Sequence, residues 1–358
     1  MHDKAIDLLK ELTNAHAAPG FEHEVRAVFA NQLEGMGELS TDGLGSVFCE
    51  SGSGPRILLA GHMDEVAFRV QNITPDGFIQ FVSLGGWWSH TLLAQRVVVC
   101  TRNEGKITGV ITSKPPHFLP DSERSKVLPI EAMFIDVGAS SRSDLEQNFG
   151  IHIGDPVVPM SDFTQMHKPD LLMAKALDNR VGMAATIQAM QALAAKSHPN
   201  TLIACGTVQE ELGVRGATTA AVKAKPDVAI VLEGTPADDT PGMARASAQG
   251  AVGQGVQIRL QDPTAVMNPA LVDFAVAVAK KQNISHQLAV RSSGGTDARA
   301  FQLSGIGIPT IVLGVPARYI HSHNAVIDVR DYHAMVDLSI ALVERLNQAE
   351  VDALTAYL

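Results

Sequence analysis

The chain has 358 residues, 46% of them hydrophobic and 18% charged, where an average globular protein carries roughly 25% charge. That composition excludes an intrinsically disordered chain, and the length suggests about two domains. Acids exceed Lys and Arg by 38 to 28, giving a formal charge of −10 with no basic stripe, so no nucleic acid is expected as a partner.

The amino-terminal stretch MHDKAIDLLKELTNAHAAPG mixes charges among its apolar residues and does not read as a secretory signal. Ala5, Leu8, Leu9 and Leu12 form one stripe at helical spacing, Pro19-Gly20 breaks it, and Val25, Phe29 and Leu33 mark a second helix. Ile57-Leu58-Leu59-Ala60 is the short continuous apolar run of a strand buried on both faces. It stops at Gly61-His62-Met63-Asp64-Glu65.

From about 68 to 164 the texture changes. β-rich runs at 77–82, 95–101, 105–112 and 133–137 alternate with Gly, Pro and Asn turns, as in a small barrel or sandwich. The stretch 113–126, with Pro115, Pro116 and Pro120, reads as an exposed loop. Beyond Lys175 strands and helices alternate. Asp178 opens a helix lined by Met183, Ile187, Met190 and Ala194, and 201–208 is a buried strand followed by a helix beginning near Glu210. Further strands fall at 228–232, 286–290 and 309–313, with helices at 269–281 and 331–348.

Repeated β-α units predict an α/β fold, a mixed and largely parallel sheet with helices on both faces. The simplest architecture is one α/β domain, 1–67 joined to 165–358, interrupted by an all-β barrel-like domain at 68–164. No stretch approaches the ~18 uninterrupted apolar residues of a membrane helix. The three scattered cysteines, Cys49, Cys100 and Cys205, suit a reducing compartment. The expectation is a cytoplasmic protein with no membrane contact.

His62, Asp178, Glu211, Glu233 and His321 each follow a strand-like run, where open α/β sheets place their ligands. Alone each is ordinary: Asp178 before a helix is an N-cap, and Glu210-Glu211 at a helix start is a pair of solvated acids. Together, two His and three carboxylates supply what a pair of divalent cations needs, with one carboxylate between ions ~3.5–4 Å apart. Glu210 and Glu211 are adjacent and point different ways, so one can ligate while the other stays free to take a proton from an activated water. Asp64, two residues after His62, has the separation of a carboxylate that orients a liganding imidazole.

The motifs GHMDEVAFRV, AKALDNRVG, TVQEELGVRGA, VLEGTPADDTPG, SGGTDARAF and RYIHSHNAVID, in that order, resemble those of the tetrahedral (TET) aminopeptidases. That is the forty-second metallopeptidase family, which includes glutamyl aminopeptidases and proteins once labelled endoglucanases. MFIDVGASSRSDLEQNFGIHIGD resembles its inserted domain and KPPHFL the loop of that domain, so the likeness covers nearly the whole chain. It implies two divalent ions, zinc or cobalt, with manganese also compatible with the ligand set. His62 and Glu233 would hold one ion, Glu211 and His321 the other, and Asp178 would bridge; Glu210 would be the general base and Asp64 the partner of His62. It also implies peptide substrates, and a homo-oligomer in which the inserted domain pairs subunits and twelve build a hollow shell. Trp87-Trp88 are candidates for that contact, or for core packing.

Two departures stand out. Many relatives carry Asp at the position of Glu233, and many read HSPVE where this chain has His321-Ser322-His323-Asn324-Ala325. Alignment with YIHS assigns the ligand to His321 and leaves His323 as a competitor. The 116 positions between His62 and Asp178 also discriminate. Dinuclear carboxypeptidases, dipeptidases and deacylases insert their second domain after the third carboxylate, and single-domain aminopeptidases lack it.

The expected reaction is hydrolysis of an amino-terminal peptide bond, with Glu210 taking a proton from water and returning it to the leaving amine. Two alternatives share these residues: an amidohydrolase or deacylase acting on a non-peptide amide, and a non-catalytic metal-binding scaffold. A two-carboxylate glycosidase needs no His ligands. Ser293-Gly294-Gly295-Thr296-Asp297 is a candidate substrate-contacting loop. The preferred side chain is not legible, because acidic-, basic- and neutral-preferring members share these motifs.

Overall fold

The computed structural model describes residues 2–103, 105–244 and 248–358. Helices α1 (His2–Asn14) and α2 (His23–Gln32) precede strands β1 (Glu38–Thr41), β2 (Val47–Gly52) and β3 (Arg56–His62). Then come β4 (Ala67–Ile73), β5 (Ile79–Leu84), β6 (Arg96–Cys100), β7 (Lys106–Thr112), β8 (Phe134–Asp136) and β9 (Pro156–Pro159), with short helices α3 (Asp121–Arg124) and α4 (Arg142–Gln147) between them. Next are β10 (Thr164–Gln165), β11 (Leu171–Ala174), α5 (Leu177–Leu193), β12 (Thr201–Thr207), α6 (Arg215–Ala224) and β13 (Val228–Pro236). The chain continues through β14 (Val256–Asp262), β15 (Ala265–Val266), α7 (Pro269–Lys281), β16 (His286–Val290) and α8 (Ala298–Gln302). It closes with β17 (Thr310–Ala317), β18 (Ala325–Asp328), α9 (Val329–Val343) and α10 (Gln348–Ala353).

The large sheet runs β1-β2-β12-β3-β13-β17-β14-β15, with β16 on the side of β14. Its centre, β12-β3-β13-β17, is parallel, and the antiparallel pairings lie outside it. Ile57, Leu58, Leu59 and Ala60 of β3 are fully buried, as are Leu202, Ala204, Ile230 and Leu232 on its neighbours. That follows from a sheet covered on both faces. Helices α5 and α9 pack together against it, and α6 and α8 form a second pair. The approach of α5 is close: a Cβ on Gly61 of β3 would lie 2.7 Å from the backbone of Gly182, so glycine at this crossing lets the helix sit on the strand.

The six strands β4-β5-β8-β7-β6-β9 close into a barrel. Phe68, Val70, Ile79, Val97, Val99, Ile111, Ile135 and Val157 fill it as a core separate from that of the large sheet. A third, small cluster of Ala18, Ala67, Leu84, Val98 and Val158 lies apart from both cores, with Phe21, Cys100 and Leu212 against it.

Several sequence expectations need correction. No helix begins near Glu210: α6 starts at Arg215, and 208–214 is a turn in which Gln209 and Val214 take positive φ. Asp178 and Asn179 sit at the start of α5 with non-helical backbone, and Asp178 caps nothing. The terminal helix ends at Val343, and α10 follows it. Strands β1, β2, β4, β9 and β14 hold apolar runs of at most three residues, Val47-Phe48-Cys49 being the longest, so none stands out as the continuous run that marks β3. No helix among the described residues is long and apolar enough to cross a membrane.

Candidate active site

Strands β3, β12, β13 and β17 run the same way, so their carboxyl ends deliver side chains to one edge of the sheet. His62 ends β3 opposite Thr207 of β12, Glu210 and Glu211 lie in the turn after β12, Glu233 sits on β13 opposite Gly314, and His321 follows β17. Asp178 reaches the same edge from the start of α5. Asn179 fixes it there: its Nδ2 donates to Leu232 O at 2.8 Å, and its Oδ1 accepts from Gly182 N and Gly234 N at 2.9 and 3.1 Å. The Asp178–Asn179 peptide is cis.

The structure brings all five candidate ligands and Glu210 into one cluster. Asp178 stands between the two imidazoles, Oδ1 3.1 Å from His62 Nε2 and Oδ2 3.1 Å from His321 Nε2. Glu233 Oε2 lies 3.6 Å and Glu210 Oε2 3.9 Å from His62 Nε2, while Glu211 Oε1 lies 3.3 Å from His321 Nε2. Three groups of donors result among the described residues, His62-Asp178-Glu233, Asp178-Glu211-His321 and His62-Glu210-Glu211, each with atoms within 4.8 Å of one another and with Asp178 common to the first two. The donor set fits two divalent cations. Glu211 Oε1 and Glu233 Oε1 are buried without a hydrogen-bond partner, which suits atoms reserved for a cation.

The electrostatics agree. Burial, with neighbouring carboxylates, raises the pKa of Glu210, Glu211 and Glu233. Burial opposes charge on the histidines, yet Glu233 and Asp178 raise His62, and the neighbouring Asp178 and Glu211 carboxylates bring His321 up to about 11. Asp178 is held low despite burial by its two imidazoles.

His62 and Asp64 are related differently from the sequence expectation. His62 Nδ1 donates to the main-chain carbonyl of Asp64 at 3.0 Å, while the Asp64 carboxylate is 3.7 Å away. That carboxylate instead accepts the main-chain N–H groups of Glu210 at 2.9 Å and Glu211 at 3.0 Å. His323 lies outside the cluster. It is buried against Trp87, and its Nε2 donates to Arg96 O at 3.1 Å; burial lowers its pKa to about 4. Trp87 stacks on Phe68 and is core-like, whereas Trp88 is exposed.

The cleft over the cluster has a volume of about 520 Å³ and includes residues 293–296 of the anticipated loop. A larger hollow, about 760 Å³, opens between Phe21 and the barrel residues Arg69 and Cys100, and contains none of the clustered ligands. Sequence reasoning missed Arg259 and Arg291, which line the cleft; a lone Arg in or after a strand carries no local signal. It also missed a buried trio. Lys175 Nζ lies 2.8 Å from both oxygens of Glu65, and Arg180 Nη2 lies 3.0 Å from Glu65 Oε1. Arg180 also donates to the carbonyls of Met63 and Asp64.

The family model described as M42 glutamyl aminopeptidase matches residues 45–338. The chain belongs to this family. A glutamyl aminopeptidase of Lactococcus lactis subsp. cremoris is 34% identical, over 98% of this chain and 99% of that protein. The structure of a TET aminopeptidase from a marine-sediment thaumarchaeon superposes with a TM-score of 0.95 at 40% identity, covering 99% of each chain. The Pyrococcus horikoshii TET1 peptidase, described as assembling into a tetrahedron or a large octahedral shell, superposes at 0.86 with 29% identity, over 96% of this chain and all of that one. Family membership makes the chain an aminopeptidase, and the cluster at the sheet edge is its candidate active site.

Proposed function

We propose that this aminopeptidase works with two divalent ions, His62 and Glu233 holding one, Glu211 and His321 the other, and Asp178 both. The single observation that supports this best is the position of Asp178, one oxygen toward each His-carboxylate group. Bound ions of this kind supply Lewis acidity for the scissile carbonyl and acidify water, and zinc, cobalt or manganese suits the donors. Glu210, raised in pKa by burial and 3.9 Å from His62 Nε2, takes the proton of the attacking water and returns it to the departing amine. Asp64 sets the main chain of the Glu210-Glu211 pair. The surrounding carboxylates receive the substrate's free α-amine.

Outside the cluster, the charged residues of the cleft wall are Arg259 and Arg291. Each is tied to a carboxylate through Nη1, Asp262 and Asp238 respectively, and each keeps a buried Nε without a partner. Their positive charge on the cleft wall favours a substrate whose first side chain is acidic. The inserted unit, 68–164, is the proposed subunit-pairing domain, with Trp88 exposed at 65%, and the assembly a dodecamer like the shells of TET relatives.

The test is a panel of aminoacyl-nitroanilides, run beside N-acyl amides, on protein stripped with chelator and reloaded with zinc, cobalt or manganese. Metal-restored release from Glu- and Asp-nitroanilide is expected. Turnover that persists in metal-free protein would remove the two-ion reading, and hydrolysis confined to N-acyl substrates would favour the deacylase.

A further inference from the structure

We propose that His323 is a positioning residue for His321, fastening the loop 319–324 to the main chain of the barrel so that the barrel sets the orientation of a metal-site histidine. The inference rests on the two-ion reading. The loop needs a restraint: Tyr319 and His321 both take left-handed backbone, φ 58° and 56°, which L residues hold only where their surroundings over-determine it.

Both imidazoles of the loop end on barrel-side carbonyls. His321 Nδ1 donates to Gly86 O at 2.9 Å, and His323 Nε2 donates to Arg96 O at 3.1 Å. Between these anchors lies Trp87, whose ring is 5.6 Å from that of His323, stacks on Phe68 at 4.7 Å, and donates from Nε1 to Ala67 O at 3.0 Å. The segment that holds His321 is therefore pressed between His323 and the barrel core. The two segments are in van der Waals contact, since a Cβ on Gly86 would stand 3.4 Å from His321 Nδ1. Asn324, on the other side of His323, is tied to Ser161 Oγ at 2.7 Å.

A histidine ligand is oriented by the bond from its other ring nitrogen, and losing that orientation typically weakens metal binding about 10–100-fold. His323 fixes the distance between the loop and Arg96, and so the bond from His321 to Gly86. It touches neither substrate nor ion. Its second nitrogen, Nδ1, is buried and without a partner, so one bond and ring packing are its whole contribution.

The experiment titrates metal-free wild type, His323→Ala, His323→Asn and His323→Phe with Co²⁺, following its visible absorption and counting equivalents. Wild type is expected to take two. His323→Ala should weaken one equivalent by about 10-fold or more and leave the other unchanged. His323→Asn, which keeps a donor, should recover most of that loss, and His323→Phe, which keeps only a ring, should not. Two equivalents bound by His323→Ala as tightly as by wild type would overturn the proposal, as would parallel weakening of both with a fall in Tm, the mark of a merely structural residue. Wild type that binds no Co²⁺ would overturn the two-ion reading itself, and this inference with it.

Discussion

The carboxylate of Asp64 accepts the main-chain N–H of Glu210 at 2.9 Å, not the imidazole two residues before it. Its other oxygen takes the N–H of Glu211, so a buried carboxylate on the His62 loop dictates how the acidic pair leaves β12. Asp64→Asn would turn an amide NH₂ against one of those donors, while the carbonyl that holds His62 is untouched. We expect kcat to fall about 10–100-fold with two metal equivalents retained, a loss typical of a disrupted outer-sphere contact. Metal analysis beside steady-state kinetics distinguishes this from loss of an ion, which would instead support a direct role on His62.

Glu210 is the carboxylate of the acidic pair that neither of the two groups sharing Asp178 uses, although it stands within reach of His62. Glu210→Gln should keep both ions and lower kcat by about 10²–10⁴, the contribution of a positioned acid–base. Near-wild-type turnover would pass the role to another group.

Legibility followed locality. The parallel strands were readable because Ile57–Ala60 and the apolar stretches of β12, β13 and β17 are continuous, and most of the candidate ligands stand near the carboxyl ends of those strands. Helix starts were poorly readable where the backbone turns irregular, as at Gln209–Val214 and Asp178–Asn179. The two imidazoles of His321 and His323 are equivalent as letters; only the fold turns one to Asp178 and the other to Arg96. Contacts between distant segments, such as Arg180 with the Met63 and Asp64 carbonyls, have no sequence signature at all.

Glu65, Lys175 and Arg180 are all buried, and one carboxylate balances two cations. Glu65→Gln keeps the shape and removes the charge. Breaking a buried network on one side costs about 3–5 kcal/mol, because the remaining charges stay desolvated. Urea unfolding of the metal-free protein should show that loss; one below about 1 kcal/mol would mean that water or local rearrangement compensates the cations.

Glu24 of α2 pairs with Lys106 of the barrel at 2.9 Å and accepts the main-chain N–H of His16. Burial alone would raise its pKa, but these partners bring it down to about 2. A carboxylate lowered on folding contributes stability above its unfolded pKa and loses it as pH falls toward the folded value. Because the pair is partly exposed, Glu24→Gln should cost only about 1 kcal/mol near pH 6. Urea midpoints should show the gap between the two proteins closing as pH drops from about 5 to about 2, and narrowing in 1 M salt. A constant gap across that range would show that packing, not charge, joins α2 to the barrel here.

Of the two cleft arginines, Arg291 is the cleaner probe of specificity. Removing Arg259 would strand Asp262, which is buried, and confuse binding with folding. Arg291 is partly open, held by Asp238 and the Pro236 carbonyl, with its Nε buried and unpaired. Arg291→Gln preserves much of the bulk and withdraws the charge. A hydrogen bond to a charged group is worth about 1.5–3 kcal/mol, so kcat/KM for a Glu-nitroanilide should drop about 10–100-fold, while a Leu-nitroanilide is hydrolysed as well as before or better. The ratio between the two substrates is the deciding quantity. If both fall together, Arg291 supports the loop at 293–296 and does not read the substrate, and the acidic preference would have to rest on Arg259 alone.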